Sequence, residues 1–511
     1  MFKKLACLVL ALCLCLAAMG LAEPQIEGAD AYAGKDLSEE VNLVWYVLGD
    51  VPPDLDLVLE TANENYFKPV LNCTLEVKFM SWSEYATKYS LILAGGEDCD
   101  MIYTASWCYF LQEGQKGAFY PLTEEFRSEY MPLSMANQAP ESWEQVSING
   151  VPYAITRNYL TMPNYKFMAI REDLRLKYDL PEVTDFDTFQ QYMFTIAENE
   201  PGMQAIASPG NNDELRDILL LQRNSLYTVN QNSPDYVYHG EGDLSHIPTA
   251  DEIEYLYSSE EFRDYALLMR DWAAKGCWSR NAINSTISTS DAFAQGQSAC
   301  LPWVESLFQY GQQLEAAELG TAAYVDITHD ITPRKTSYNG DCIAITGTSK
   351  NPERAAMAID FMMNNPELNL LLYAGIEGKH YVLDENGEYS EGPDAELFPW
   401  RHFAWPLEND NSPKKAGRDA RELAIVNDIR AREVAVPIDS FVFDESAVKA
   451  EVAVLVSLRE EYRPSFDLGA FGENTEAKLD EYMQKQQDAG LEKVMAEFRS
   501  QYTAYLESKG L

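Results

Sequence analysis

The residues best suited to chemistry in this chain of 511 residues are its aromatic rings, with 30 Tyr, 21 Phe and 9 Trp. Sugars stack their apolar C–H faces on such rings, while their hydroxyls need fixed polar partners. Trp107 follows a predicted strand at 100–103, and Trp303 lies on a later apolar run. Tyr46 is near the end of the first predicted strand, with Asp50 in the loop beyond. Because α/β folds place ligands past strand carboxyl ends, these four residues are candidate ligand contacts. Packing in a core or a seam is the alternative for each ring.

Sequence patterns typical of enzymes are missing. There is no G-x-S-x-G elbow, and the five histidines show no zinc-ligand spacing. The segment 375–380 has too few residues between its glycines for a phosphate loop, and 384–387 fails the calcium-loop pattern because its glycine comes too early. Some of the 81 acidic residues must lie at glycosidase-like separations, so the sequence nominates no pair. We predict no catalytic residues, no metal site and no cofactor.

The N-terminus predicts export. A short basic start is followed by an apolar run at 5–21, and Gly20 and Ala22 supply the small residues that a signal peptidase reads. Residues 1–22 are therefore a predicted signal peptide, with an uncleaved membrane anchor as the alternative. Cysteines of the leader lie inside the apolar run, which gives no site for lipid attachment. We expect a soluble mature protein that is secreted and associated with the cell envelope, or periplasmic in a Gram-negative cell.

Charge and cysteine content narrow the partners. The net charge of −42 disfavours nucleic acid and anionic membranes. Beyond the leader the cysteines are few, and no C-x-x-C pair occurs, so this is not a disulfide-dense scaffold. One or two disulfides and buried free thiols both remain open. These residues are Cys73, Cys99, Cys108, Cys277, Cys300 and Cys342.

The order of predicted elements indicates an α/β fold with more than one lobe. Residues 41–48 form a continuous apolar run typical of a buried strand. A helical stripe over 55–66, an alternating strand at 75–79, a capped helix over 81–95 and the strand at 100–103 follow. This β-α-β-α-β order predicts a parallel sheet covered by helices.

A second α/β region begins near Tyr159, after a hairpin signal at Asn149-Gly150. Trp272 and Trp278, in or beside a predicted helix, are expected to be packing residues. Further predicted elements are helices near 186–198, 213–223 and 258–275, strands at 301–304 and 342–346, a surface excursion at 384–415, and closing helices near 444–462 and 475–508.

Together these segments resemble the carbohydrate-binding extracellular solute-binding proteins of ABC importers, in particular the subgroup whose C-terminus carries the domain of unknown function DUF3502. The matching stretches occur in family order and span most of the mature chain. They are VNLVWYVLGDVPPDLDLVLE, YSLILAGGEDCDMIYTASW, GAFYPLTEEF, NGVPYAI, NPERAAMAIDFMMNNPELNLLLYAGIEGKHYVLDENG and KLDEYMQKQQDAGLEKVMAEFRSQYTAYL.

The resemblance implies a two-lobed periplasmic-binding-protein-like fold of type II, in which each lobe is a sheet flanked by helices and a hinge joins the lobes. Lobe 1 would comprise 40–156 and 340–400, and lobe 2 would comprise 157–339 and 401–511, with a DUF3502-like helical part at 440–508. Chain crossovers would fall near 155–158, 338–342 and 400–415.

The resemblance also extends the candidate ligand contacts. It implies Tyr46, Asp50 and Trp107 again, and it adds residues from the crossovers, the second lobe and a late loop. Arg157 could instead form a salt bridge at the hinge, and Glu305 could instead be solvated. The further ligand contacts implied are Arg157, Trp303, Glu305, Tyr338, Asn339 and Glu377.

The implied function is capture of an oligosaccharide in the cleft and its delivery to the membrane subunits of an ABC permease, without catalysis. We expect a monomer that does not bind nucleic acid. Relatives are usually lipid-anchored through a cysteine, which has no suitable counterpart here. Two other functions remain open, a secreted polysaccharide hydrolase or lyase and a sugar sensor for a membrane receptor.

Overall fold

The computed structural model describes most of the chain, namely residues 26–95, 98–159, 165–208, 210–229, 234–240, 244–304, 306–400, 403–409 and 412–511. The predicted signal peptide and the candidate residue Glu305 lie outside the described residues. Among the helices of the described ranges, none is both long enough and apolar enough to cross a bilayer.

The chain forms two compact units. Unit 1 contains the described residues up to Tyr159 together with Tyr338–Ala416, and unit 2 contains the described residues of Leu160–Ser337 and Gly417–Leu511. We expected residues 401–416 in the second lobe, but the structure places the described residues among them, 403–409 and 412–416, in unit 1. The reason is apolar packing, because Phe403, Ala404 and Leu407 are buried in the main core of unit 1.

The strands, in chain order, are β1 Val41–Leu48, β2 Cys73–Met80, β3 Met101–Thr104, β4 Ser147–Ile148, β5 Val151–Pro152, β6 Ile155–Thr156, β7 Phe167–Arg171, β8 Gln204–Ile206, β9 Leu226–Thr228, β10 Tyr236–His239, β11 Glu254–Tyr255, β12 Ser298–Trp303, β13 Ala322–Val325, β14 Cys342–Ile345, β15 Tyr381–Leu383 and β16 Tyr389–Glu391.

The central sheet of unit 1 has the strand order β2-β1-β3-β14-β6. β1 pairs in parallel with β2 and with β3, whereas β14 is antiparallel to β3 and to β6. Residues 43–48 of β1 are buried, as a continuous apolar strand between two layers of helices should be. The predicted parallel β-α-β-α-β unit is confirmed, and so is the hairpin, in which Asn149 and Gly150 both have positive φ.

Helices cover this sheet. Helix Pro352–Asn364 is buried along nearly its whole length and carries the carboxylate of Asp360, which accepts hydrogen bonds from the backbone of Ser134 and from the Tyr32 hydroxyl. The helices of unit 1 are Leu55–Ala62, the π-helical turn Asn63–Phe67, Lys68–Leu71, Tyr85–Gly95, Phe110–Gln115, Glu124–Tyr130, Pro132–Asn137, Pro140–Glu144, Pro352–Asn364 and Pro366–Ala374, with short 3₁₀ turns at Ala29–Tyr32, Tyr338–Gly340, Ala395–Leu397 and Trp405–Leu407.

Unit 2 contains a sheet of order β13-β7-β12-β8 and an antiparallel sheet of order β11-β10-β9. Trp272 and Trp278 lie buried in its main core, so their prediction as packing residues is confirmed. The helices of unit 2 are Glu172–Lys177, Phe186–Asn199, Asp213–Arg216, the π-helical turn Asp217–Leu221, Glu260–Ala274, Thr289–Ala294, Leu307–Ala316, Ala420–Arg432, Lys449–Asp467, Thr475–Asp488 and Leu491–Lys509, with 3₁₀ turns at Gln222–Asn224, Ala250–Glu252, Leu256–Ser258, Ala282–Asn284, Glu445–Ala447 and Gly472–Asn474.

The predicted closing helix over 475–508 is two helices in the structure. Gly490 separates them with a φ of 92°, a left-handed conformation that glycine adopts without steric cost. The preceding helix ends at Asp467, whose buried carboxylate accepts a hydrogen bond from Tyr265 and faces the guanidinium of Arg216 at 3.2 Å. This charge pair fastens the C-terminal helices to the body of unit 2.

The cysteines of the described chain are free and buried. Burial raises the pKa of the Cys73 and Cys277 thiols to about 12. Of the two alternatives that the sequence left open, buried free thiols are the one found.

Candidate ligand-binding site

Three tryptophans of unit 1 form an indole cluster, defined here as Trp82, Trp107 and Trp405. The Trp82 ring stacks on Trp107 with centroids 6.3 Å apart and planes at 22°, and on Trp405 at 5.6 Å and 30°. Trp82 is 50% exposed and Trp107 is 48% exposed, while Trp405 is half-buried. Large aromatic surface is thus held at the protein surface in a fixed arrangement.

Trp107 is positioned by the turn that follows β3. The backbone N–H of Cys108 donates to the carbonyl of Ala105 at 3.0 Å, which closes the turn around the indole. The indole Nε1 of Trp107 donates to the carbonyl oxygen of Gly340 at 2.8 Å. Because this N–H is already bonded, Trp107 would contact a ligand through the face of its ring and not through a hydrogen bond from Nε1.

Trp82 lies between the end of β2 and the start of helix Tyr85–Gly95. The Ser81 hydroxyl donates to the carboxylate of Glu84 at 2.9 Å, and the backbone N–H of Tyr85 donates to the Ser81 carbonyl at 3.0 Å. This helix entry keeps Trp82 outside the helix, where its side chain is exposed. The Tyr85 ring meets it edge-on at 5.9 Å.

Tyr103 of β3 supports the other two indoles. Its ring contacts Trp107 at 5.8 Å and meets Trp405 edge-on at 5.6 Å. Its hydroxyl donates to a carboxylate oxygen of Asp341 at 2.6 Å. Burial, together with the charge of Asp341, raises the pKa of Tyr103 well above its ordinary value, so the hydroxyl remains a hydrogen-bond donor to Asp341.

Arg157 is buried next to this network. Its guanidinium lies 2.5 Å from Asp341 and 3.5 Å from Glu408, and its backbone N–H donates to the Asp341 carbonyl at 3.0 Å. Between the two roles open for it, this geometry favours the salt bridge. The ion pair ties the segment after β6 to the segment before β14 and to the residues that follow Trp405–Leu407.

The crossover residues Tyr338 and Asn339 lie in the 3₁₀ turn Tyr338–Gly340, whose last residue accepts the hydrogen bond of the Trp107 indole. The carbonyl of Asn339 accepts a hydrogen bond from the Ser106 N–H at 2.8 Å, and the Asn339 amide donates to the Gln145 carbonyl at 3.0 Å. The Tyr338 N–H donates to the side chain of Gln145 at 2.6 Å. Asn339 is buried and Tyr338 is half-buried, so the pair serves mainly to support the turn that carries Trp107.

The remaining candidates of unit 1 occupy separate positions. Tyr46 is buried in β1 beneath the ammonium group of Lys78, 5.6 Å from its ring centroid. Asp50 is exposed in the loop that follows β1. Glu377 is exposed in the loop after helix Pro366–Ala374. Burial of the Tyr381 phenol, and then the charge of Glu377, raise the pKa of Tyr381 to about 12.

Trp303 belongs to unit 2. It ends β12 and is half-buried against a small core of its own unit that includes Tyr165 and Phe308. Packing is therefore part of its role. Side chains able to share a metal ion occur, within the described ranges, at His239, Glu254 and Glu261 of unit 2.

Two members of the indole cluster escaped the sequence analysis. Trp82 follows β2 directly and satisfies the same criterion that nominated Trp107, an aromatic just past a strand end. Trp405 lies within the acidic, proline-containing segment 384–415 that was predicted as a surface excursion, and its position in the sequence carries no comparable signal.

Comparisons with known proteins place the chain in context. The family described as bacterial extracellular solute-binding protein matches residues 63–378, and the domain of unknown function DUF3502 matches residues 437–507. A carbohydrate ABC transporter substrate-binding protein of Streptococcus pneumoniae serotype 4 is 24% identical over 492 residues, covering 93% of each chain.

Solved structures share the fold. The N-glycan transport solute-binding protein NgtS of Streptococcus pneumoniae, in complex with Man1GlcNAc, superposes with a TM-score of 0.69 at 19% identity, over 92% of this chain and 100% of that one. The alginate-binding protein AlgQ2 gives a TM-score of 0.66 at 15% identity, over 91% and 99%. The predicted α/β fold of type II solute-binding proteins is confirmed.

Proposed function

Since the chain belongs to the bacterial extracellular solute-binding proteins, we propose that it is the substrate-binding component of an ABC importer and that it captures an oligosaccharide on the indole cluster. The observation that carries the proposal is the pair of exposed, mutually stacked rings of Trp82 and Trp107. Relatives that bear carbohydrate names support the same substrate class.

The stacked rings suit a sugar because their faces are apolar and fixed. Two half-exposed indoles in contact form a contiguous apolar patch, and such patches often mark ligand-binding surfaces. A pyranose ring brings C–H groups onto such a face and removes that area from water. The Trp107–Gly340 hydrogen bond and the Tyr103–Asp341 hydrogen bond fix the rings before a ligand binds. This lowers the entropic cost of ordering these side chains on binding.

Hydroxyl recognition must come from polar groups other than the Trp107 N–H, which is already bonded. Asp50 follows β1, the strand beside β3, and its carboxylate is exposed. Carboxylates commonly accept hydrogen bonds from ligand hydroxyls, and these charge-assisted bonds are stronger than neutral ones. We assign Asp50 this role, and we assign Arg157 to the support of the site.

Delivery to the membrane subunits of an ABC permease follows from family membership and requires no catalytic group. We propose a secreted monomer associated with the cell envelope, which binds sugar without cutting it. The acidic surface is consistent with a neutral or weakly charged ligand, because a strongly anionic one would be repelled.

A thermal-shift screen of the mature protein against an oligosaccharide panel tests the proposal. A ligand that binds only the native state raises the apparent stability by mass action, so a cognate sugar should increase Tm in wild type and much less in Trp82→Ala. The same sugar, incubated with the protein for many hours, should remain uncut. Protein-dependent product formation that one carboxylate substitution abolishes would establish a hydrolase or lyase instead.

A further inference from the structure

A second cluster of side chains, with the nitrogen and oxygen atoms that metal ions bind, lies in unit 2. His239 ends β10, Glu254 begins β11, and Glu261 lies in the first turn of helix Glu260–Ala274. β10 and β11 are antiparallel neighbours in which Val237 lies opposite Glu254. Because residues two apart on a strand face the same side, His239 and Glu254 emerge on one face of this sheet, where the helix brings Glu261 to meet them.

The three side chains converge closely. The Nε2 atom of His239 lies 3.1 Å from Oε1 of Glu261 and 4.0 Å from Oε1 of Glu254. One ligand atom from each residue lies within 4.8 Å of the other two. In a tetrahedral zinc site with bonds of roughly 2.1 Å, neighbouring ligand atoms are about 3.4 Å apart. Small side-chain rotations would therefore suffice to complete such a geometry.

The cluster contains two carboxylates and one imidazole, so its negative charge exceeds any positive charge that His239 can carry. Within the described residues, the ion pairs of these three side chains are with one another. The carboxylates of Glu254 and Glu261 approach the same imidazole, at 4.0 Å and 3.1 Å, so two negative charges repel each other at close range. A divalent cation between them would remove this repulsion and would use the imidazole as a neutral ligand.

We propose that His239, Glu254 and Glu261 form a zinc-binding site that leaves one coordination position for water or an outside ligand. Imidazole nitrogen with carboxylate oxygen is a ligand set that zinc accepts, whereas calcium and magnesium prefer oxygen alone. The side chains are 55%, 39% and 23% exposed, so an ion can enter from solvent. The histidines of the sequence show no zinc spacing because this site takes its ligands from three separate elements.

Calorimetric titration of Zn²⁺ into the chelator-treated mature protein tests the proposal. We expect a site of one ion per chain whose affinity falls about tenfold or more in His239→Ala and in Glu261→Gln, since changes even behind the ligands of metal sites cost this much. His246→Ala is the matched control. His246 lies 3.0 Å from Glu252 and forms an exposed pair of the same chemistry that belongs to no three-residue group in the described chain. Its loss should leave the affinity for zinc unchanged.

Three results would overturn the proposal. The first is the absence of zinc binding in wild type. The second is an affinity for zinc in His239→Ala and Glu261→Gln equal to that of wild type, and the third is a loss of affinity in His246→Ala as large as in the ligand variants. Either of the last two would indicate adventitious binding to an acidic surface. Far-ultraviolet circular dichroism without metal checks that each variant is folded. Glu254→Gln, a third ligand variant, should also lower the affinity for zinc. Titration with Ca²⁺ should give no binding that depends on His239, and such binding would contradict the assignment to zinc.

Discussion

Replacing the exposed tryptophans one at a time is the sharpest test of the indole cluster. An indole side chain presents up to about 250 Å², and Trp107 is 48% exposed, which is roughly 120 Å² on that scale. If a sugar face covers about half of this area, the loss is about 60 Å², which at about 25 cal/mol per Å² is about 1.5 kcal/mol. Trp107→Ala should therefore weaken binding of the cognate oligosaccharide about tenfold.

Trp82→Ala should cost at least as much, because Trp82 contacts both other indoles and its removal also loosens them. The two effects should not add in the double variant, since the rings touch and each supports the other. Trp107→Phe separates stacking from positioning. It keeps a ring but loses the hydrogen bond to Gly340, so its affinity should lie between those of wild type and Trp107→Ala.

Isothermal titration calorimetry with the sugar found by screening measures these affinities. Trp272→Phe is the control, because Trp272 is buried in the core of unit 2 and stacks on Phe186 at 6.2 Å. It should lower the free energy of unfolding and leave the affinity unchanged. If Trp82→Ala and Trp107→Ala are folded and bind the sugar as wild type does, the reasoning is refuted and the rings serve another purpose.

Two further predictions concern stability. Asp467→Ala removes a buried carboxylate that faces the guanidinium of Arg216 at 3.2 Å, while Asp213 remains as a second partner. Because the guanidinium keeps one carboxylate, we expect a loss of about 2 kcal/mol of unfolding free energy, the scale of a hydrogen bond to a charged group. Urea unfolding should show a lower midpoint with an unchanged slope, and a loss near zero would contradict the fastening role of this pair. Hydrogen bonds from the backbone and hydroxyl of Thr249, and then from His246, lower the pKa of Glu252 from 4.5 to about 2. The stability that the ionised Glu252 carboxylate contributes is thus complete above pH 4.5 and is lost as the pH falls toward 2. The difference in Tm between wild type and Glu252→Gln should therefore narrow between pH 5 and pH 3. A difference that stays constant over this range would exclude the ionised carboxylate as its source.

The first three strands of the central sheet in unit 1 were predictable because each carries its own signal, whereas the antiparallel sheet β11-β10-β9 of unit 2 was not predicted. β1 is a continuous apolar run that only a strand covered on both faces accommodates, and the alternation of β2 and the brief β3 follow it at the spacing of a parallel unit. Asn149-Gly150 similarly fixed a hairpin through backbone conformations that few other pairs adopt. The break at Gly490 was missed because the apolar spacing of 475–508 continues across it, although the glycine itself was visible.

The site was predictable only in the part that local sequence determines. Trp107 follows a strand, and that position alone made it a candidate. Arg157 was recognised as a residue with two roles, and only the distances to Asp341 and Glu408 favour one of them. These partners stand 184 and 251 residues further along the chain, so no spacing rule could pair them with it.

Trp405 illustrates best how the candidate site depends on tertiary packing that the local sequence does not reveal. It comes from a segment that we expected in the other lobe, yet burial of Phe403, Ala404 and Leu407 draws that segment into the core of unit 1. The same apolar contacts that hold the segment place the Trp405 indole 5.6 Å from Trp82 and 5.6 Å from Tyr103. The proposed ligand-binding surface thus depends on core packing, because a residue next to a buried apolar anchor is held in a fixed position and can present a rigid ring.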